Sequence, residues 1–143
     1  MLNYRLLHPP LLAALARAGH GDRIVLADGN FPLRTAVRPD VEVVHLNLRP
    51  GTVSVPDVLE PLLEAVPVEA ATYMGTPDGA VVDAHADYDR LLGPAVPTTV
   101  QGDRWKFYDE TRGEDVAVVV ATADQRLCAN LVLTVGVRGG GPG

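Results

Sequence analysis

The sequence predicts a single α/β domain in which helices cover a mixed, mostly parallel sheet. Short apolar runs of strand length alternate along the chain with segments that have helical spacing. A length of 143 residues fits one domain. Apolar residues make up 47% of the chain and charged residues 21%, which is typical of a globular protein with one core.

The first helix is predicted to begin at Pro9 and Pro10, because proline suits the first turn of a helix. Good helix formers continue to Ala16, and we expect Gly19 to end the helix in a left-handed conformation. His20 then lies just beyond the end of the helix. A strand at 23–27 follows and ends at a glycine turn.

The remaining elements follow from apolar runs and from leucine spacing. The strands are predicted at residues 41–46, 68–74, 116–121 and 130–137. The helices are predicted at residues 56–65 and 80–92, with a short helix or turn at 103–110. We assign residues 1–138 to one domain and residues 139–143 to a flexible, glycine-rich tail.

Charge and motif content exclude several classes of protein. The net charge is −6 with no basic run, which disfavours nucleic acid as a partner. Cys128 is the one cysteine, so no intrachain disulfide forms. We find no signal peptide and no apolar run of about 20 residues, so we expect a cytoplasmic protein without a membrane partner. Nucleotide-binding glycine loops, zinc-type cysteine pairs and serine-hydrolase elbows are missing, so we expect no cofactor and no metal.

The first candidate site combines His20 and Asp28. His20 stands between two glycines, and a histidine titrates close to neutral pH, which suits proton transfer. Asp28 ends a strand, where α/β folds bind ligands. The structural alternative is a histidine that caps a helix and an aspartate that forms a turn.

The second candidate group is Arg104, Trp105 and Tyr108. Aromatic faces stack on the C–H face of a sugar ring, and an arginine donates several hydrogen bonds to hydroxyl groups. Alternatively, the aromatic residues anchor a helix onto the sheet.

The third group is Cys128-Ala129-Asn130, directly before the last strand. The Asn130 amide offers donors and acceptors to a hydroxylated ligand, or it serves as a turn residue at a strand edge. Cys128 is interpreted as a small buried hydrophobe rather than a nucleophile.

Together these groups resemble the D-ribose pyranase / L-fucose mutarotase family. Gly19-His20-Gly21-Asp22 is similar to its Gly-His-Gly/Thr-Asp signature, and the segment 28–32 to its Asp-Ala-Asn/His-Phe-Pro segment. Arg104 and Phe107-Tyr108-Asp109 resemble the Arg-Phe-x-Phe-Tyr-Glu stretch of the fucose branch, whereas the ribose branch carries a histidine at the arginine position. The segment 128–130 falls where the family reads Tyr-Ala/Gly-Asn.

The resemblance implies a three-layer fold, a ring-shaped homo-oligomer such as a decamer, and an isomerase that acts without a cofactor. The implied reaction interconverts the α and β anomers of L-fucose or a related monosaccharide by acid/base ring opening and closure. By resemblance His20 is the proton donor, and the sugar-binding positions are Asp28, Arg104, Cys128, Ala129 and Asn130. We expect Asp28 either to orient His20 or to hold a sugar hydroxyl. Cys128 departs from the family's tyrosine and lacks its phenol and ring face.

Two alternatives stay open beside the mutarotase. One is a D-ribose pyranase, which interconverts pyranose and furanose forms. The other is a module that binds a monosaccharide without turning it over.

Overall fold

The computed structural model describes residues 1–139, which form one domain around a single sheet. Its helices are α1 (Pro9–Arg17), α2 (Val55–Ala65), α3 (Asp83–Leu92) and α4 (Arg104–Thr111). Its strands are β1 (Arg23–Ala27), β2 (Glu42–His45), β3 (Val68–Met74), β4 (Thr98–Gln101), β5 (Val116–Ala121) and β6 (Leu131–Val135). Residues 140–143 of the predicted tail lie outside the described residues.

The strand order is β2-β5-β1-β6-β3-β4. The pairs β2–β5, β5–β1 and β3–β4 are parallel, whereas β6 pairs antiparallel with both β1 and β3. Five strands therefore end at one edge of the sheet, which we call the carboxyl edge, and β6 begins there. The opposite edge is the amino edge. The mixed, mostly parallel sheet confirms the prediction.

The two faces of the sheet are covered by different elements, which makes three layers. Along β1, Ile24 and Leu26 pack into one core and Val25 and Ala27 into the other, as the alternation of side chains along a strand requires. The first core includes buried residues of α1, α2 and α3. The second core includes Phe107 of α4 and part of the segment 31–37.

Three local predictions differ from the structure. Gly19 does not have a left-handed backbone; α1 ends at Arg17, the cap Ala18 is extended, and the positive φ of 86° belongs to Gly21. Strand β4 was not predicted, because three of its four residues are exposed and no apolar pattern marks it. Helix α3 starts at Asp83, not at residue 80.

The late start of α3 has a local cause. The backbone N–H of Ala80 donates to the Thr76 hydroxyl at 2.8 Å, which ties residues 76–80 into a turn that cannot continue as helix.

Among the helices of residues 1–139, none is long and apolar enough to cross a bilayer.

Candidate active site at the carboxyl edge of the sheet

Asp28 follows β1 at the carboxyl edge and is only 6% exposed. Its backbone N–H donates to Asn130 Oδ1 at 2.7 Å, and Asn130 Nδ2 donates back to Asp28 Oδ2 at 3.1 Å. The backbone N–H groups of Asn30 and Ala129 donate to Oδ1 and Oδ2 at 2.9 and 3.2 Å. The carboxylate is therefore fixed by three donors from two neighbouring loops.

Burial raises the pKa of Asp28 to about 6, and the negative charge of Asp124 adds to this effect. The N–H donors of Asn30 and Ala129 oppose the rise without cancelling it. The carboxyl group therefore changes its protonation state close to neutral pH. A group that titrates near the working pH is suited to take up and release a proton.

Helix α4 supplies one wall of the site. Trp105 is 66% exposed, and its ring lies edge-on to Tyr108 with 6.0 Å between centroids. The Arg104 guanidinium lies over the Trp105 ring, 5.4 Å from its centroid. Phe107, which is fully buried, anchors the helix to the sheet. Trp105 is therefore not the anchor, and most of its side chain is exposed.

Tyr108 and Cys128 share the electrostatic environment of Asp28. Burial raises the pKa of the Tyr108 phenol and that of the Cys128 thiol; the Asp28 charge adds to both increases and the Arg104 charge opposes them. Both groups therefore stay protonated at neutral pH. This favours a donor role for the phenol and disfavours a nucleophilic role for the thiol.

His20 lies at the other edge of the sheet, in the turn between α1 and β1. It is exposed, and its Nε2 atom is 3.0 Å from Glu69 Oε2 at the start of β3. The whole length of β1, about 16 Å at 3.3 Å per residue, separates His20 from Asp28 within one chain. Glu69, not Asp28, is therefore the residue that orients His20 in the folded chain.

The structure thus brings most of the sequence-predicted site residues together and leaves one apart. The group at the carboxyl edge consists of Asp28, Arg104, Trp105, Tyr108, Cys128, Ala129 and Asn130. Sequence reasoning missed Glu69, and it missed Met74, whose sulfur accepts from Asn130 Nδ2 at 3.2 Å. No short motif connects these residues to their partners. Glu69 lies 49 positions from His20, and Met74 lies 56 positions from Asn130.

A cavity of about 460 Å³ lies beside this site, between the loops that follow β1, β2 and β5. Its walls are formed by Gly29, Asn30 and residues 47–50 and 122–125. Within residues 1–139, no three His, Cys, Asp or Glu side chains are grouped so that they could hold a metal ion.

Comparison with known proteins gives consistent matches. The model of the RbsD / FucU transport protein family matches residues 1–138. A fucose mutarotase of Homo sapiens is 34% identical over 146 residues, covering 92% of this chain and 90% of its own. D-ribose pyranase 1 of Rubrobacter xylanophilus is 34% identical over 127 residues, covering 89% and 91%.

The structure of Bacillus subtilis RbsD complexed with D-ribose superposes with a TM-score of 0.83 at 25% identity, covering 97% of this chain and all of that one. Fold, matched length and family model agree. The chain belongs to the RbsD / FucU transport protein family.

Proposed function

We propose that this chain is a cofactor-independent sugar mutarotase that interconverts the α and β anomers of L-fucose or a related monosaccharide. The observation that carries this proposal is the buried Asp28 carboxyl group, which titrates near pH 6 beside side chains suited to sugar hydroxyls. The similarity over nine tenths of the chain to proteins named fucose mutarotase supports the reaction and the sugar.

Opening the sugar ring needs only two proton transfers. The anomeric hydroxyl loses a proton, the bond from the anomeric carbon to the ring oxygen breaks, and the ring oxygen gains a proton. The open aldehyde rotates and closes on its other face by the reverse steps. Mutarotation already proceeds in water, so one placed acid/base, worth about 10²–10⁴-fold, provides a useful acceleration.

The carboxyl edge supplies the groups that hold the sugar. In our proposal the Asp28 carboxylate accepts the anomeric hydroxyl and takes its proton. Arg104, Tyr108 and Asn130 bind the other hydroxyls, and the exposed Trp105 ring packs against the apolar face of the sugar. Cys128 and Ala129 belong to the same group at the carboxyl edge, where a thiol occupies less space than an aromatic ring.

His20 is proposed as the acid that protonates the ring oxygen, with Glu69 holding its imidazole 3.0 Å away. Because β1 separates His20 from Asp28 within one chain, this role requires the His20 of a second copy of the chain. The proposal therefore includes a ring-shaped homo-oligomer, such as the decamer that the family resemblance implies. We expect it to work in the cytoplasm.

Saturation-transfer NMR of anomer exchange tests the function directly. L-fucose and D-ribose are compared with wild type, with His20→Ala and with His45→Ala, which removes an exposed histidine at the end of β2. We expect faster exchange of L-fucose with wild type and with His45→Ala, and a loss of about 10²–10⁴-fold with His20→Ala. Full activity of His20→Ala rejects the role of His20.

A second candidate function is D-ribose pyranase activity. It is favoured by the similarity to D-ribose pyranase 1 and to a structure solved with D-ribose. Exchange of D-ribose ring forms without acceleration of L-fucose supports this candidate. A sugar that binds without faster exchange points instead to a module that does not turn over.

A further inference from the structure

The loop 128–130 is the part of the site that holds the Asp28 carboxylate from outside its own strand. Ala129 donates its backbone N–H to Asp28 Oδ2 at 3.2 Å, and Asn130 exchanges two hydrogen bonds with Asp28. Cys128 has a φ of 58°, a left-handed backbone that costs energy for a residue with a side chain. A loop with such a residue needs contacts that hold it in place.

Tyr88 of α3 provides one such contact from another layer of the fold. Its hydroxyl donates to the backbone C=O of Ala129 at 2.5 Å, and its side chain is fully buried. Burial raises the pKa of Tyr88, so the phenol keeps its proton and remains a donor. The ring is fixed in turn by an edge-on contact with Tyr73 at 5.4 Å.

We propose that Tyr88 is a positioning residue that holds the loop 128–130, and through it the Asp28 carboxylate, in the geometry that the reaction needs. The contacts form a short chain: the Tyr88 hydroxyl fixes the Ala129 carbonyl, and the Ala129 N–H fixes Asp28 Oδ2. This inference rests on the proposed function for its meaning, but the chain of contacts exists without it.

The charged and titratable groups around Asp28 come from three elements. They are Asp124 and Cys128 from the loop between β5 and β6, Arg104 and Tyr108 from α4, and Tyr88 from α3. Removing the Tyr88 hydroxyl leaves the side chains of the other four in place. A change in the titration of Asp28 then reports the position of the loop and its N–H donor.

The test compares Tyr88→Phe with Tyr73→Phe. The control removes the hydroxyl of a second tyrosine with a buried ring, because Tyr73 donates to Asp89 Oδ1 at 2.9 Å on the same side of the sheet. The pKa of Asp28 is measured from its carboxyl ¹³C shift in both variants and in wild type. Anomer exchange is measured between pH 5 and 8.5 on the same samples.

The hydrogen bond from the Ala129 N–H lowers the pKa of Asp28, so a weaker bond lets this pKa rise. We therefore expect Tyr88→Phe to raise that pKa further by about one pH unit, and Tyr73→Phe to leave it in place. The limb of the pH profile on which exchange rises as Asp28 loses its proton should move to higher pH by the same amount. A merely structural loss would lower the rate equally at every pH.

An unchanged Asp28 titration in Tyr88→Phe, or an equal shift in Tyr73→Phe, overturns the positioning role. Wild-type protein that accelerates no sugar overturns the proposed function instead, and the ¹³C titration then still decides the positioning role. The two failures are therefore distinguishable.

Discussion

At the scale of single residues, burial in the candidate site disfavours the charged form of Asp28. The pKa of Asp28 is about 6 in the folded chain, against an ordinary value of 3.8. A raised folded pKa means that the group's contribution to stability is complete below about pH 4 and is lost as the pH rises through 6. The difference of about two pH units corresponds to roughly 3 kcal/mol at pH 7.

Asp28→Asn should show separately how the buried Asp28 charge affects stability and how the carboxyl group contributes to anomer exchange. We expect anomer exchange to fall by at least about 100-fold, because an amide does not take up the proton. Relative to wild type, the free energy of unfolding of the variant should increase by about 2–3 kcal/mol between pH 4 and pH 7, because wild type alone loses stability over this range. Urea unfolding at the two pH values measures this.

Asp40→Asn is the control for that measurement. Asp40 is exposed, and the Arg38 guanidinium lowers its pKa, so its charge carries no burial cost. Its relative stability should change little with pH, and in the opposite direction. If Asp28→Asn shows no gain between pH 4 and pH 7, Asp28 is not a buried carboxyl group with a raised pKa.

Residues whose chemistry shows in a local motif could be predicted from the sequence. Asp28 stands in a strand-end turn and Asn130 directly before a strand, and the two do meet. Glu69 and Tyr88 carry no local signal, because their roles depend on His20 and Ala129, which lie 49 and 41 positions away. Such pairs follow only from the order of the strands in the sheet.

At the scale of elements, the loop between β5 and β6 is fixed by charge as well as by packing. Arg126 donates to both oxygens of Asp124 and, at 2.7 Å, to Asp87 of α3. Asp124 Oδ2 also accepts the Val55 N–H at the start of α2. Burial works to raise the pKa of Asp124, but these donors outweigh it and lower the pKa overall.

Arg126→Met should destabilise the fold by about 3 kcal/mol at neutral pH, because it leaves the buried Asp124 carboxylate without its cation. The loss should shrink towards pH 4, where Asp124 of the variant takes up a proton. Thermal and urea unfolding at pH 7 and pH 4.5 measure both effects.

Arg90→Met is the matched control, since Arg90 pairs with the same Asp87 at 3.5 Å but is exposed. Exposed pairs of this kind contribute little, so stability should stay close to wild type. Equal losses in the two variants contradict a special role for Arg126.

Sequence reasoning succeeded for elements whose burial is patterned. The apolar β5 and the proline-started α1 and α2 fall within one or two residues of their predicted positions. It failed for β4, whose Thr98, Thr99 and Val100 are all exposed on the outer edge of the sheet. A strand that buries none of its side chains leaves no periodic signal in the sequence.

At the scale of the whole molecule, the parallel direction of the strands divides the proposed machinery in two. Glu69 and Met74 belong to the same strand, yet one meets His20 at the amino edge and the other meets Asn130 at the carboxyl edge. No sequence motif shows this division, because His20 and Asp28 are only eight positions apart. In the proposed mechanism, a complete site therefore combines two chains, with the amino edge of one copy against the carboxyl edge of the next.

Mixing two inactive variants tests this arrangement. His20→Ala and Asp28→Asn chains are unfolded, combined in equal amounts and refolded together, and L-fucose exchange is measured against each variant refolded alone. If each site joins the His20 of one copy to the Asp28 of another, random assembly leaves about one site in four with both residues, and about a quarter of wild-type activity returns. If each chain carries its own site, every site lacks one residue and no activity returns. Size-exclusion chromatography of the same samples checks that both variants assemble, so a negative result cannot arise from separated chains. Recovered activity would also give a role to the exposed histidine that stands at the amino edge beside a carboxylate.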